Sequence, residues 1–307
     1  MREVLVCEPV RTAVGRYGGS LKSLSAAELL APLIRGLVER TSLDANAISD
    51  VIVGQCYPNG EAPAIGRVAA LDAGLPVEVP GMQLDRRCGS GLMAVLVAAA
   101  QVQSGMSNLV LAGGVESMSQ AEHYSTELRW GTRSGDSVLH DRLARGRVTA
   151  RGIRFPLPGG MIETAENLRA QFGISREAQD QLALSSHKRS VDAIRSGRFT
   201  DEIIPLDVQG RVVATDEHPR ADVSLEALAA LQPVMAKQDP DATVTAGNSS
   251  GQNDGAAVCI VADSRSVEAH GLRPMGRLVA AAVSGVDPRY MGIGPCPRSR
   301  LCSRGLH

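Results

Sequence analysis

A cysteine placed among glycines and arginines is the feature of this sequence best suited to chemistry. Cys88 follows an arginine pair and precedes a Gly-Ser-Gly run and an apolar stretch typical of a helix. Free N–H groups and partial positive charge at a helix N-terminus favour a thiolate over a thiol. Glycines let a substrate approach the backbone, so the N–H of Cys88 or Gly89 can hydrogen-bond an oxyanion. The pattern predicts a nucleophile for thioester exchange, because its leaving ability matches that of another thiol.

Taken alone, this motif also fits a buried cysteine at the start of a core helix. Ser90 does not have the Gly-x-Ser-x-Gly spacing of a serine nucleophile elbow. The arginine pair is either solvated or helps to activate the thiol. The other cysteines have no CxxC spacing and no histidine partners at metal spacing, so neither disulfides nor a metal site is expected. We expect Cys7, Cys56 and Cys259, in or beside strand-like runs, to pack as small hydrophobic residues.

Composition excludes several classes of function. The chain has 307 residues, of which 44% are hydrophobic and 3% aromatic, so it can bury a core as two domains or one large domain. Its net charge of −1 provides no broad basic surface for nucleic acid or an anionic membrane. No apolar run reaches membrane-spanning length, and we expect a cytoplasmic protein.

Short apolar strands alternate with helices over the first 120 residues. Because these strands lack polar alternation, we expect helices on both sides of a mainly parallel sheet. Ser25 and Glu28 form a capping box, and Pro32 is a point where the first helix can kink. The predicted strands are 4–6, 51–53 and 109–112, the last ended by a Gly-Gly pair, and the predicted helices are 25–38 and 89–103.

The middle of the chain has a different pattern. Residues 120–160 are loop-rich, a helical region follows over 162–196, interrupted near Gly173 and capped again by Ser175, and 199–240 are irregular. A small-residue loop precedes a strand over 256–262 that we expect to return to the first sheet. The predicted domains are 1–119 plus 250–268, an inserted loop domain over 120–249, the start of a C-terminal domain over 269–295, and a tail over 296–307.

Several segments, in order along the chain, resemble the motifs of the thiolase family. Together they extend from the N-terminal region to Pro295, and the TAEN and AGN runs favour thiolases over related condensing enzymes. The segments are 11–15 (RTAVG), 84–92 (LDRRCGSGL), 113–119 (GGVESMS), 164–167 (TAEN), 245–256 (TAGNSSGQNDGA), 285–288 (GVDP) and 291–295 (MGIGP).

The resemblance implies an α/β protein with the thiolase fold, a helix-sandwiched mixed sheet carrying an inserted loop domain. It implies acyl transfer through a thioester on Cys88, making or cleaving 3-ketoacyl-CoA with acetyl-CoA. Coenzyme A thioesters are then substrates, and no separate cofactor is expected. Ser250 would contact the pantetheine arm with Ala246 beside it, Arg220 would lie near the adenine, and Met161 would line the pantetheine tunnel. The family implies a homodimer or homotetramer.

The chain departs from the family pattern at three places. Asp85 stands where asparagine is common, and Gly160 stands where a histidine often lies beside the Met161 position. The family's C-terminal half supplies a Gly-His-Pro histidine and a second cysteine, and neither motif is present here. The change of composition after Pro295 indicates truncation, with a natural disordered tail as the alternative.

The sequence is also consistent with two other functions. One is a truncated thiolase-fold protein that only binds acyl-CoA or is slowly acylated by it. The other is a ketosynthase-type condensing enzyme, which uses a cysteine on the same fold.

Overall fold

The structure, a computed structural model, describes residues 2–149, 153–155 and 160–296. The chain divides into two compact units. Unit 1 contains the residues up to Gln120 together with Gly197–His218 and Gln252–Val279. Unit 2 contains the described residues of Ala121–Ser196, Pro219–Gly251 and those from Ala280 onward.

The strands and helices follow the alternating pattern expected from the sequence. The strands are β1 (Val4–Arg11), β2 (Gly15–Arg16), β3 (Asp50–Gly54), β4 (Gly81–Leu84), β5 (Leu109–Ser117), β6 (His123–Tyr124), β7 (His140–Asp141), β8 (Leu206–Val208), β9 (Arg211–Val213), β10 (Asn253–Asp263) and β11 (Pro274–Arg277). The helices are α1 (Ala26–Thr41), α2 (Ile65–Asp72), α3 (Ser90–Ser104), α4 (Arg142–Thr149), α5 (Met161–Phe172), α6 (Arg176–Arg195), α7 (Leu225–Ala229) and α8 (Ser264–Ala269).

The main sheet of unit 1 has the strand order β11-β1-β10-β5-β3-β4, and β2 pairs with β10. β3 runs parallel to β4 and β5, whereas β10 runs antiparallel to β5 and β1. The prediction of a mainly parallel sheet is therefore wrong, and the mixed sheet that the resemblance implied is confirmed. β10 follows the inserted residues and begins at the same end of the sheet where β5 finishes, with Asp254 opposite Ser117. The two strands therefore run in opposite directions.

The central strand β3 is buried on both faces, as its unbroken apolar sequence predicts, and so are most residues of β5 and β10, whereas β11 at the edge of the sheet is exposed. Val51 and Val53 of β3 pack in the cluster that contains α1 and α2, while Ile52 between them packs in the cluster that contains α3. α1 has the predicted capping box at Ser25 and continues through Pro32 without ending. Cys7 and Cys259 are buried, as predicted.

β5 extends beyond the point where the sequence predicted its end. The Gly-Gly pair lies inside the strand, which runs on to Ser117. A Cβ atom on Gly113 would lie 2.0 Å from the carbonyl oxygen of Ala257 on β10. The glycine is required for close approach of two backbones rather than for a turn, which explains why the predicted strand end is wrong.

The compact units and the predicted domains differ at several places, and the described residues from Ala280 onward join unit 2 rather than forming a separate domain. Residues 197–218 join unit 1 because Leu206, Val208 and Val213 of β8 and β9 belong to the core cluster of α1. β11 also lies in unit 1, because it pairs with β1. The predicted tail at 296–307 lies outside the described residues, apart from residue 296. No helix among the described residues is long and apolar enough to cross a membrane.

Candidate active site

Cys88 lies on the connection between β4 and α3, at the carboxyl edge of the parallel strands. Its side chain is exposed. Gly89 is the N-cap of α3, so the cysteine immediately precedes the helix that the sequence predicted. Crevices at the carboxyl ends of parallel strands are common ligand sites in α/β folds. The location therefore suits a nucleophile that must meet a substrate from solvent.

The backbone turns sharply just before Cys88. Arg87 has a φ of 51°, a left-handed conformation that costs a non-glycine residue about 1–2 kcal/mol. Its backbone N–H donates to Asp85 Oδ1 at 2.7 Å, which holds the turn from the N-terminal side. Such strain persists only where the surroundings impose it, and it occurs often at functional sites.

Ser90 holds the same turn from the helix side. Its buried Oγ accepts the Arg86 backbone N–H at 2.8 Å and donates to the Arg87 carbonyl at 2.6 Å. It also lies 3.9 Å from Cys56 Sγ. Sequence reasoning tested this serine only as a nucleophile and missed its structural role. Its position two residues after Cys88, at a helix start, was the available signal.

Two expectations about the surroundings of Cys88 change. The Gly89 N–H donates to the Arg86 carbonyl at 3.1 Å, so this donor is not available to an oxyanion as predicted. The Arg87 guanidinium donates to the Cys56 carbonyl at 2.9 Å and lies 3.7 Å from Asp85. It therefore holds two chain segments together, a role that the sequence did not indicate.

Glycines bring the start of α3 close to the ends of β3 and β5. A Cβ on Gly54 would lie 2.3 Å from the carbonyl carbon of Ser90, and one on Gly114 would lie 3.3 Å from Gly91 Cα. Side chains at these positions would push the helix away from the sheet. The glycines therefore fix where Cys88 stands above the strand ends.

Glu116, near the end of β5, supports the neighbouring segment after β3. Its carboxylate accepts the backbone N–H groups of Cys56 at 2.8 Å and Tyr57 at 3.2 Å. Burial raises the pKa of Glu116, although the two hydrogen bonds act in the opposite direction. Burial, and then the Glu116 carboxylate, raise the pKa of Cys56 to about 12. Cys56 therefore stays a thiol at neutral pH.

The residues expected to contact coenzyme A lie in unit 2. Ser250 and Ala246 are exposed on the small-residue loop at 243–251. Met161 is the half-exposed first residue of α5. Arg220 is exposed, and its guanidinium pairs with Asp222 at 3.5 Å. These four residues lie in the same unit, whereas Cys88 lies in unit 1.

Two buried carboxylates anchor that loop to the helices of unit 2. Glu166 of α5 accepts the backbone N–H groups of Thr243 and Val244 at 2.9 and 2.7 Å. Asp180 of α6 accepts the Asn248 side-chain amide at 3.0 Å and pairs with Arg176 at 2.7 Å. Glu166 belongs to the TAEN run at 164–167, but the sequence did not indicate an anchoring role for either acid.

His187 of α6 also has a contact that its sequence did not reveal. Its Nδ1 accepts the Arg220 backbone N–H at 3.2 Å. This fixes the backbone beside a residue expected near the adenine. In the described part of unit 1, His218 Nε2 lies 3.4 Å from the Gln252 carbonyl, and His270 ends α8 at the opposite end of the sheet from Cys88. Neither is paired with Cys88 there.

Comparison with known proteins decides the family. The family model described as "Thiolase, N-terminal domain" matches residues 4–265. The chain belongs to the thiolase family. It is 39% identical to the beta-ketothiolase BktB of Cupriavidus necator over 305 residues, covering 98% of this chain and 76% of that protein. It is 39% identical to the acetyl-CoA acetyltransferase of Escherichia coli K12 over 306 residues, with coverage of 98% and 76%.

A solved structure supports the same assignment for the fold. The crystal structure of the Bacillus anthracis acetyl-CoA acetyltransferase matches with a TM-score of 0.92 at 39% identity, covering 100% of this chain and 77% of that chain. The thiolase fold is thereby confirmed, and the protein is by family an acyltransferase. The thiolase relatives favour this assignment over the ketosynthase alternative. Truncation stays a prediction.

Among the described residues, no cluster of three or more histidine, cysteine, aspartate or glutamate side chains is arranged to hold a metal ion.

Proposed function

We propose that this thiolase acts on coenzyme A thioesters and that Cys88 carries the acyl group. The observation that supports this most directly is the exposed Cys88 on a constrained turn before α3. An exposed thiol on a rigid turn meets a substrate without rearrangement, which lowers the entropic part of the barrier. The names of the relatives suggest acetyl-CoA and 3-ketoacyl-CoA as substrates.

The first half-reaction is a thioester exchange. The Cys88 thiolate attacks the carbonyl carbon of acyl-CoA, and a tetrahedral oxyanion forms. The carbon–sulfur bond to coenzyme A then breaks, so that the acyl group stays on Cys88 and coenzyme A leaves as its thiolate, which takes up a proton from solvent. With the Gly89 N–H engaged, the Cys88 N–H is the donor that we assign to the oxyanion.

Binding of the coenzyme is assigned to unit 2. Ser250 and Ala246 on the anchored loop meet the pantetheine arm, Met161 lines its path, and Arg220 lies near the adenine end. The anchoring of the loop by Glu166 supports this, because a loop fixed in advance loses little entropy when a flexible ligand binds. We also propose the homodimer or homotetramer that the family resemblance implies.

The second half-reaction forms or breaks a carbon–carbon bond and requires a group that moves a proton at carbon. No histidine is paired with Cys88 in the described part of unit 1. This favours, for the 307-residue polypeptide, the alternative of slow acylation without turnover. In that case the chain accepts one acyl group and keeps it.

Release of coenzyme A tests the proposal. Acetyl-CoA in excess is mixed with the protein, and free thiol is followed over time. We expect the wild type to release close to one equivalent, Cys88→Ser to release none, and Cys296→Ser, which removes another exposed thiol, to behave as wild type. Equal release from wild type and Cys88→Ser would disprove the role of Cys88.

A further inference from the structure

The Glu116 carboxylate is linked to the turn before Cys88 through the peptide group between Cys56 and Tyr57. The Tyr57 N–H, which donates to Glu116 Oε1 at 3.2 Å, belongs to the same peptide as the Cys56 carbonyl. That carbonyl accepts the Arg87 guanidinium at 2.9 Å. A carboxylate therefore holds one end of a planar peptide, and a guanidinium holds the other.

This arrangement is stronger than two separate hydrogen bonds. Both bonds involve a charged partner, and each polarises the shared peptide in the direction that strengthens the other. The Cys56 N–H, which donates to Glu116 Oε2 at 2.8 Å, adds a second bond to the carboxylate and fixes the peptide in orientation as well as position.

This chain of contacts ends at Arg87, the residue before Cys88. Arg87 has the left-handed φ of 51°, so its conformation depends on contacts that oppose the intrinsic preference of the backbone. Its guanidinium contact with Cys56 joins the turn to the segment after β3, which the hydrogen bonds within the turn itself do not do. Loss of this contact would let the turn and Cys88 move together.

We propose that Glu116 is a positioning residue for acyl transfer, acting through the Cys56–Tyr57 peptide and Arg87 to hold Cys88 in its reactive orientation. This rests on the proposed function of Cys88 as the acyl acceptor. Glu116 does not touch the reacting atoms in this account. Its effect is on the rate of attack rather than on the affinity for acetyl-CoA.

Glu116→Gln tests the idea in the full chain. The amide oxygen accepts one N–H, but its NH₂ group faces the other, so one bond to the segment is lost. We expect the maximal single-turnover rate of Cys88 acylation to fall about ten- to a hundredfold, since small displacements of reacting groups cost this much. The acetyl-CoA concentration at half-maximal rate should stay within about twofold.

Glu217→Gln is the matched control. Glu217 also accepts two backbone N–H groups in unit 1, from Arg16 at 2.9 Å and Ser20 at 3.1 Å, on a loop that does not carry the nucleophile. Its acylation rate should equal that of the wild type, even where its melting temperature falls. Equal losses of rate in Glu116→Gln and Glu217→Gln would mean that Glu116 has only a general structural role.

Arg87→Lys keeps the test valid if Glu116→Gln does not fold. Lysine keeps the charge but loses the planar guanidinium, and we expect a similar fall in rate. Where both variants fold, the double variant should be no slower than the slower single variant, because the two residues act along one path. Wild-type rates in Arg87→Lys, or additive losses in the double variant, would overturn the inference. Absence of acylation in the wild type would overturn the proposed function instead.

Discussion

At the residue scale, the cysteines of unit 1 occupy different surroundings. Cys88 is exposed, whereas Cys7 and Cys259 are buried in the sheet. Burial raises the pKa of Cys7 to about 11 and that of Cys259 to about 12. Cys56 is half-buried beside Glu116, and its pKa is about 12. The thiols of Cys7, Cys56 and Cys259 are therefore protonated at neutral pH.

These differences predict selective alkylation of the folded protein. At pH 8, iodoacetamide should label Cys88 well before Cys7, Cys56 or Cys259, because the thiolate is the reactive form and the other three thiols are protonated and shielded. Peptide mapping by mass spectrometry at successive times measures the order of labelling.

The unfolded protein provides the control for this experiment. In urea all four cysteines should be labelled at similar rates, because their environments are then alike. Labelling of Cys7 or Cys259 in the folded protein as fast as Cys88 would contradict the burial that the structure assigns to them.

The sequence was sufficient to place Cys88 before a helix but not to describe the residues that hold it. Arg87 and Ser90 act through backbone atoms, and Glu116 contacts a segment about sixty residues earlier in the chain. Such contacts depend on which strands lie side by side. The order of the strands in the sheet cannot be derived from local sequence patterns.

At the scale of elements, the pairing of β5 with β10 carries the strongest steric constraint. Gly113→Ala should destabilise the protein by about 3 kcal/mol or more, because its Cβ would overlap the Ala257 carbonyl oxygen and force the strands apart. Urea unfolding followed by circular dichroism measures the loss.

Gly276→Ala on β11 is the matched substitution. No atom lies within 4 Å of where its Cβ would stand, so the free energy of unfolding should change by less than about 1 kcal/mol. Similar losses in the two variants would show that the close approach at Gly113 is not what limits the strand pairing.

The loop at 243–251 depends on α6 through Asp180. Asp180→Asn leaves the partly buried Arg176 without its counter-ion and should destabilise unit 2 by about 3 kcal/mol. If the loop binds coenzyme A as proposed, affinity for the coenzyme should fall as well. Unfolding curves and calorimetric titration with coenzyme A measure the two effects.

The control for this loop lies on the same helix. Glu177→Gln removes an exposed charge in the first turn of α6 and should leave both the unfolding curve and the coenzyme A affinity close to those of the wild type. An Asp180→Asn variant that keeps wild-type stability would contradict the anchoring role.

Helices and apolar strands were predicted well because their signals are local. The capping box of α1, the restart of the chain at Ser175 and the start of α3 follow from a few adjacent residues. The end of β5 and the direction of β10 were missed because both depend on a neighbouring strand. β8 and β9 were missed because each is only three residues long.

At the scale of the whole molecule, the proposed chemistry divides between the two units. Unit 1 contains Cys88 and the residues that hold its turn, and unit 2 contains the loop and helices assigned to coenzyme A. The family and its fold were predictable because the motifs are spread in order along the chain. The unit boundaries were not, because residues 197–218 return to the first core after the insertion.

The proposed alternative of slow acylation without turnover predicts incomplete catalysis. The 307-residue polypeptide should be acylated by acetyl-CoA but should not cleave acetoacetyl-CoA with coenzyme A at an ordinary thiolase rate. A coupled absorbance assay with acetoacetyl-CoA measures this. Normal cleavage by the purified chain would show that a proton-transfer group has been overlooked.

Locating the acylated residue tests the role of Cys88 directly. The protein is incubated with acetyl-CoA, quenched in acid, digested and mapped by mass spectrometry. We expect the acetyl group to lie on the peptide containing Cys88 and to be removed by hydroxylamine, as a thioester is. An acetyl group on another cysteine, or none on any peptide, would contradict it.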